Sequence, residues 1–170
     1  IRAETALGRY REVDVRVAGL PPKALSSVEL RLALADNAFR AGDYPATVTH
    51  AEAAIARAKR DHDKVAAGVM IAFANTWQGD LDAAAEAMAT ALKLDSTGPA
   101  AEQFAYLEAL AAYYRGEVDA ARAAFASLDT ATSAAMRAAS AAGVGLCAHR
   151  SGVLDEARNA YDRSRALAEE

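Results

Sequence analysis

Apolar positions in this chain follow a helical period. No stretch alternates strictly between apolar and polar residues, and β-branched runs are few, which argues against sheet. Segments such as Val28 to Ala41 and Glu102 to Arg115 read as helix, and each ends at a glycine. Four times that glycine opens the same short pattern, with an apolar or aromatic residue two places on. The instances are Gly42-Asp43-Tyr44, Gly79-Asp80-Leu81, Gly116-Glu117-Val118 and Gly152-Val153-Leu154. Their glycines stand 37, 37 and 36 residues apart, and Gly8-Arg9-Tyr10 adds a fifth copy 34 residues upstream. Regular self-similarity at this period marks a repeat architecture.

Each unit has a physical logic. Glycine adopts the left-handed cap without steric cost, so it can end the first helix. Asp43, Asp80 and Glu117 follow, near the start of the next helix, where negative charge suits the helix dipole. Ala84, Ala121 and Ala157 recur five residues after their glycines and predict close helix packing, with Ala84 and Ala121 buried within their pairs. Ser26-Ser27-Val28-Glu29 contains the S-x-x-E spacing of a capping box. Gly98-Pro99 predicts a stop followed by a proline start, and Pro21-Pro22 separates a leading helix from the first full unit. The expected organisation is one repeat domain over 1–170: a partial repeat at 1–25, then repeats near 26–62, 63–98, 99–132 and 133–170. The chain starts at Ile1 without an initiator methionine, so it is expected to be a piece of a longer protein.

The pattern resembles the tetratricopeptide repeat: helix A, a glycine-containing turn, an aromatic or aliphatic residue, then alanine at fixed offsets on helix B. The resemblance covers nearly the whole chain. It departs from the family at the early tryptophan position, filled here by Arg31, Gly68, Ala105 and Ala141, and in its longer period. Thr47 replaces the first alanine, and Pro45 sits in the first turn of its helix, where proline is tolerated. The resemblance implies an all-α fold, a right-handed α-α superhelix of about four helix pairs plus a leading helix, about nine helices in all. It further implies that helix A lines a concave face. Alanine- and arginine-rich degenerate repeats of this kind also resemble the signal-receiving regions of large bacterial transcriptional regulators of the LuxR and maltose-activator type.

Composition narrows the function. Alanine fills 47 of 170 positions, which favours helix throughout. The net charge is −4 and no basic stripe is visible, so direct nucleic-acid binding is not expected. The longest apolar run, Val65 to Ala74, falls well short of the roughly 20 residues of a membrane span. With a lone cysteine, Cys147, and no targeting segment, the expected location is cytoplasmic.

Catalytic chemistry finds no support. His50, His62 and His149 are scattered, without metal-ligand spacing, and read as surface or groove residues. Cys147 reads as a small buried hydrophobe. Gly143-Val144-Gly145 lacks a third glycine and a preceding strand, so it predicts close helix contact instead of a nucleotide loop. Paired carboxylates such as Asp80/Asp82 and Glu169/Glu170 read as capping and solvation. No enzyme, cofactor or metal is expected.

The family's concave positions, offsets 5, 9, 12 and 13 with the turn glycine as 15, select sixteen residues here. They are Leu32, Asp36, Phe39 and Arg40; Val69, Phe73, Thr76 and Trp77; Tyr106, Leu110, Tyr113 and Tyr114; Ala142, Leu146, His149 and Arg150. Six of the eleven aromatic residues fall in this set, which makes it the candidate binding surface. Phe39, Arg40, Phe73, Trp77, Tyr106, Tyr113, Tyr114, His149 and Arg150 are the candidate groove residues. Trp77, Tyr106, Tyr113 and Tyr114 are expected to line one continuous surface, with at least two exposed; Arg40 and Arg150 read equally well as partners for an acidic group or as solvated charges. The expected partner is a protein or peptide segment, with self-association through uncapped solenoid ends as a further option. A small-molecule pocket around Trp77 and Tyr113 is the alternative.

Overall fold

The computed structural model of the chain describes residues 2–21, 23–95 and 99–169. Ten α-helices occur among these residues: α1 (Arg2–Ala6), α2 (Tyr10–Ala18), α3 (Val28–Arg40), α4 (Tyr44–Ile55), α5 (Asp61–Gln78), α6 (Leu81–Leu92), α7 (Pro99–Arg115), α8 (Val118–Ser127), α9 (Ala134–Arg150) and α10 (Leu154–Ala168). Short 3-10 turns at Ala24–Ser26 and Leu128–Thr130 complete the secondary structure, and no strand is present among the described residues. The count exceeds nine because Gly8 breaks the leading segment into α1 and α2. Of the expected punctuation, Pro22 and Gly98 lie outside the described residues, while Pro99 does begin α7.

One turn is used five times. Gly8, Gly42, Gly79, Gly116 and Gly152 all have φ between 71° and 87°, and among the described residues no other residue type has a positive φ. At Gly79 the glycine N–H donates to the Thr76 carbonyl at 3.1 Å, and the Asp80 N–H donates to the Asn75 carbonyl at 2.9 Å. This double closure satisfies carbonyls that the helix end leaves open. The matching long bonds Arg9 to Glu4, Asp43 to Ala38, Glu117 to Ala112 and Val153 to Ala148 span 2.8–3.0 Å.

The helix starts vary more. Asp43 and Asp80 are true N-caps, their Oδ1 atoms accepting from the Ala46 and Ala83 N–H groups at 3.0 and 3.1 Å. Glu117 occupies the same position without a side-chain cap, because its longer side chain does not turn back onto the backbone. Val153 has no capping atom to offer. The expected capping box does not form as spaced. Ser27, one residue later than Ser26, caps α3 by accepting from the Leu30 N–H at 3.2 Å, and its hydroxyl donates to Glu29 at 2.8 Å. Ser26 instead donates to the Lys23 carbonyl.

Helix packing divides the chain into two compact units, Ile1–Ser96 and Thr97–Glu170. In the first, α3 packs on α4, α4 on α5 and α5 on α6, and the first helices of successive pairs, α3 and α5, also touch. Its core is built from small side chains, Ala35, Ala51, Ala54 and Ala67, with Leu32, Met70 and Ile71 closing over them. Alanine here lets backbones approach: a Cβ added at Gly68 would stand 2.9 Å from Ala91. The buried Thr5 hydroxyl donates to Asn37 at 2.9 Å and ties α1 to α3.

In the second unit α7 packs on α8, α8 on α9 and α9 on α10, with α7 also touching α9. Phe125, Leu110, Ala109, Ala121 and Cys147 form its core, and Tyr106, Tyr113 and Val144 pack against them. Full burial of one such phenylalanine is worth about 1.5–3 kcal/mol. The two glycines of Gly143-Val144-Gly145 serve packing. A Cβ at Gly143 would lie 2.5 Å from the Phe125 ring, and one at Gly145 would lie 2.7 Å from Tyr161. Ala84 and Ala121 are both buried, as the repeat offset predicts.

Candidate functional site

The C-terminal turn of each first helix carries the residues that the repeat register singles out. Offset 13 is Arg40 on α3, Trp77 on α5, Tyr114 on α7 and Arg150 on α9, and all four are exposed. Trp77 is 41% and Tyr114 47% accessible, unusual for side chains with so much to gain from burial. Offset 12 behaves differently. Thr76 is buried and donates to the Ala72 carbonyl at 2.8 Å, while Phe39 and Tyr113 are partly buried.

The structure brings some of the predicted residues together and separates others. In the first unit Phe39 meets Phe73 edge-on at 6.0 Å and Tyr44 at 5.7 Å, which staples α3 to α5 and to the start of α4. Arg40 bonds Asp36 on its own helix at 3.0 Å. In the second unit Tyr113 and Tyr114 meet edge-on at 5.7 Å. Arg150 meets a ring and a carbonyl. Its guanidinium lies 5.0 Å over the Tyr113 ring, and Nη1 donates to the Tyr113 carbonyl at 2.8 Å, a helix-end acceptor that draws the cation there. His149 is exposed on the last turn of α9.

Several residues of the selected set turn inward instead of lining a surface. Val69, Thr76 and Leu110 are buried, although Leu146 and His149 share the offsets of Leu110 and Thr76 and are exposed. Tyr106 is largely drawn into the core, its ring 5.5 Å from Phe125. Burial, together with the neighbouring Tyr114, pushes its phenol pKa above the ordinary tyrosine value. Trp77 belongs to the first unit and the three tyrosines to the second, so the aromatic set is divided between them.

No protein-family model and no curated protein matches this chain. Its residues are therefore the whole basis for a functional reading. Among those described, no group of His, Cys, Asp and Glu is placed to hold a metal ion, and no helix is long and apolar enough to cross a membrane.

Two grooves run along the first unit. One, of about 650 Å³, lies between α3 and α5 and is lined by Leu32, Asp36, Arg40, Arg60 and Met70 among others. Its charges are internally matched: Arg60 forms a fork with the buried Asp63 at 2.8 and 2.9 Å and approaches Glu29 at 3.5 Å. Hydrogen bonds to its own backbone and to Ser27 hold the Glu29 carboxyl below the usual range. The other groove, of about 420 Å³, lies between the second helices α4 and α6 with α5 as its floor. Val48, Ile55, Ile71, Ala83, Ala87 and Leu94 give it an apolar lining. Helix-A offsets cannot reveal this groove, because its walls are helix B: positions six and thirteen after Gly42, and four, eight and eleven after Gly79.

Proposed function

We propose that this chain is a non-enzymatic helical-repeat module, a right-handed solenoid whose first helices hold a peptide or partner segment at their C-terminal turns. The observation that carries the reading is the exposure of Trp77 and Tyr114 at one register position on α5 and α7. A purely structural array gains nothing from wetting its tryptophan and a tyrosine, whereas amphipathic aromatics anchor interfaces. Arg40 and Arg150 at the same register add cationic positions on α3 and α9.

The test begins with a displayed peptide library panned on the chain, followed by synthesis of the peptides recovered. Trp77→Ala should weaken a peptide held by the first unit, and Tyr114→Ala one held by the second, by about 30-fold, equivalent to about 2 kcal/mol. The helical melt, followed by circular dichroism, should stay within about 2 °C of the parent because neither ring is core. If both variants bind as well as the parent, or both lose the fold, the first helices are not the binding face.

A further inference from the structure

We infer that the α4/α6 groove of the first unit receives an amphipathic α-helix from a protein partner, one with an aliphatic ridge flanked by lysine or arginine. The argument starts from a comparison inside the chain. Counted from the turn glycines, Arg122 on α8 and Glu156 on α10 occupy the register of Val48 on α4 and Ala83 on α6. Asp129 and Arg163 likewise occupy the register of Ile55 and Thr90. In the second unit these residues form two ion pairs, Arg122–Glu156 and Arg163–Asp129, across the trough between α8 and α10. The pairs form a charged strap over that trough, which keeps about 310 Å³ and is lined by Asp129, Glu156 and Arg163 themselves. In the first unit the same four positions carry no charge, so the equivalent trough stays open and apolar.

Its lining fits a helix. Val48 and Ile55 lie seven residues apart on α4, two turns and about 10 Å along the axis. Ile55 and Leu94 are exposed at one end, 37% and 41% accessible, where a ridge of leucine-like side chains at i, i+3/i+4 and i+7 would cover them. The trough walls are helices with no free backbone edge, so an extended strand would gain none of its main-chain hydrogen bonds there. The charges select the flanks. Glu52 on α4 and Glu86 on α6 border the groove, both exposed, and neither pairs with a cation among the described residues. Lys64, the cation of the lining, is already held by Asp61 at 3.0 Å. Two unpaired carboxylates beside an apolar trough favour a basic partner over an acidic one.

This groove uses Lys64, Gly68, Ile71 and Asn75 of α5, the opposite side of that helix from Ala66 and Met70 in the α3/α5 groove. It therefore stands or falls separately from the face proposed above.

The probe is a fluorescein-labelled, end-capped helical peptide with leucine at i, i+3, i+4 and i+7 and lysine flanks, titrated into the chain and read by anisotropy. A peptide with glutamate flanks, and one of the same composition with the leucine ridge scrambled, should each bind about tenfold more weakly or worse. The paired substitutions Val48→Arg and Ala83→Glu, which install the strap of the second unit, should cost about tenfold in affinity without lowering the helical melt. Glu52→Lys with Glu86→Lys should reverse the preference between lysine and glutamate flanks, and this surface pair decides the matter should the strapped variant misfold. Trp77→Ala should leave the affinity unchanged. Equal binding of the three peptides, undiminished binding by the strapped variant, loss of binding in Trp77→Ala, or no saturable binding would each overturn the proposal. So would sedimentation showing a dimer that the strap dissolves, since the occupant would then be a second copy.

Discussion

Gly143 shows how little slack the second unit has. Replacing a mid-helix glycine by alanine ordinarily stabilises a helix by about 1 kcal/mol through propensity. Here the new methyl would stand 2.5 Å from Phe125, a ring with no exposure and no room to withdraw. Overpacking of this kind costs about 1–3 kcal/mol, so Gly143→Ala should be destabilising overall in a denaturant melt. Gly145→Ala should cost less, because Tyr161 is part-exposed and can swing away. Cys147 gives a second test. Burial raises its thiol pKa, with Arg122 and Arg150 opposing that rise only in part. A raised thiol pKa means the unfolded chain ionises first: the stability is whole below the ordinary thiol value of about 8.5 and is lost as pH climbs toward the folded value. Between about pH 7.5 and about pH 9.5 the parent should therefore lose more stability than Cys147→Ala. The buried role of this thiol and the packing role of the two glycines were legible in the sequence, because an apolar helical stretch leaves such residues few other uses.

Among the helices, the turns were the most readable feature. A left-handed helix stop all but demands glycine, so the breaks at Gly42, Gly79, Gly116 and Gly152 could be placed to the residue, while the one at Gly8 within the leading segment was not expected. Starts are less constrained, since serine, aspartate or nothing at all can precede a helix, and the S-x-x-E spacing misplaced the α3 cap by one residue. The same comparison exposes a weak joint. Val153 has φ −87° and ψ 74°, within a few degrees of the capping Asp80 at −85° and 77°, yet it supplies no acceptor. Val153→Asp should stabilise α10 by about 1 kcal/mol, while Asp80→Ala should cost α6 a similar amount. A pair of thermal melts that moved in the same direction would contradict this account of the caps.

For the molecule as a whole, every helix of a unit packs on its neighbour in sequence, and the longest reach joins the first helices of adjacent pairs. Contacts this local lower the loop-closure cost, so stopped-flow refolding should fall in the microsecond to millisecond range. A refolding phase of seconds would contradict it. Locality also explains what the sequence could not convey about the candidate surfaces. A one-dimensional offset says which residue follows which turn, and it placed Trp77 and Tyr114 on the surface correctly. It does not say how far a long side chain is drawn inward, which is why Tyr106 joins the core around Phe125 and Arg150 lies on Tyr113. The α4/α6 groove carries no such mark in the sequence, because valine, isoleucine and alanine on a helix read as ordinary core.

The position of Trp77 has an optical consequence. It is the chain's one tryptophan, and it is part-wetted on the last turn of α5 while the core of its unit is built from alanine. Indole emission will thus be red-shifted already in the folded protein and will change little when the helices melt. Anything that covers the end of α5 will move it to the blue. Ultraviolet dichroism follows the scaffold of this protein, and its fluorescence follows the surface.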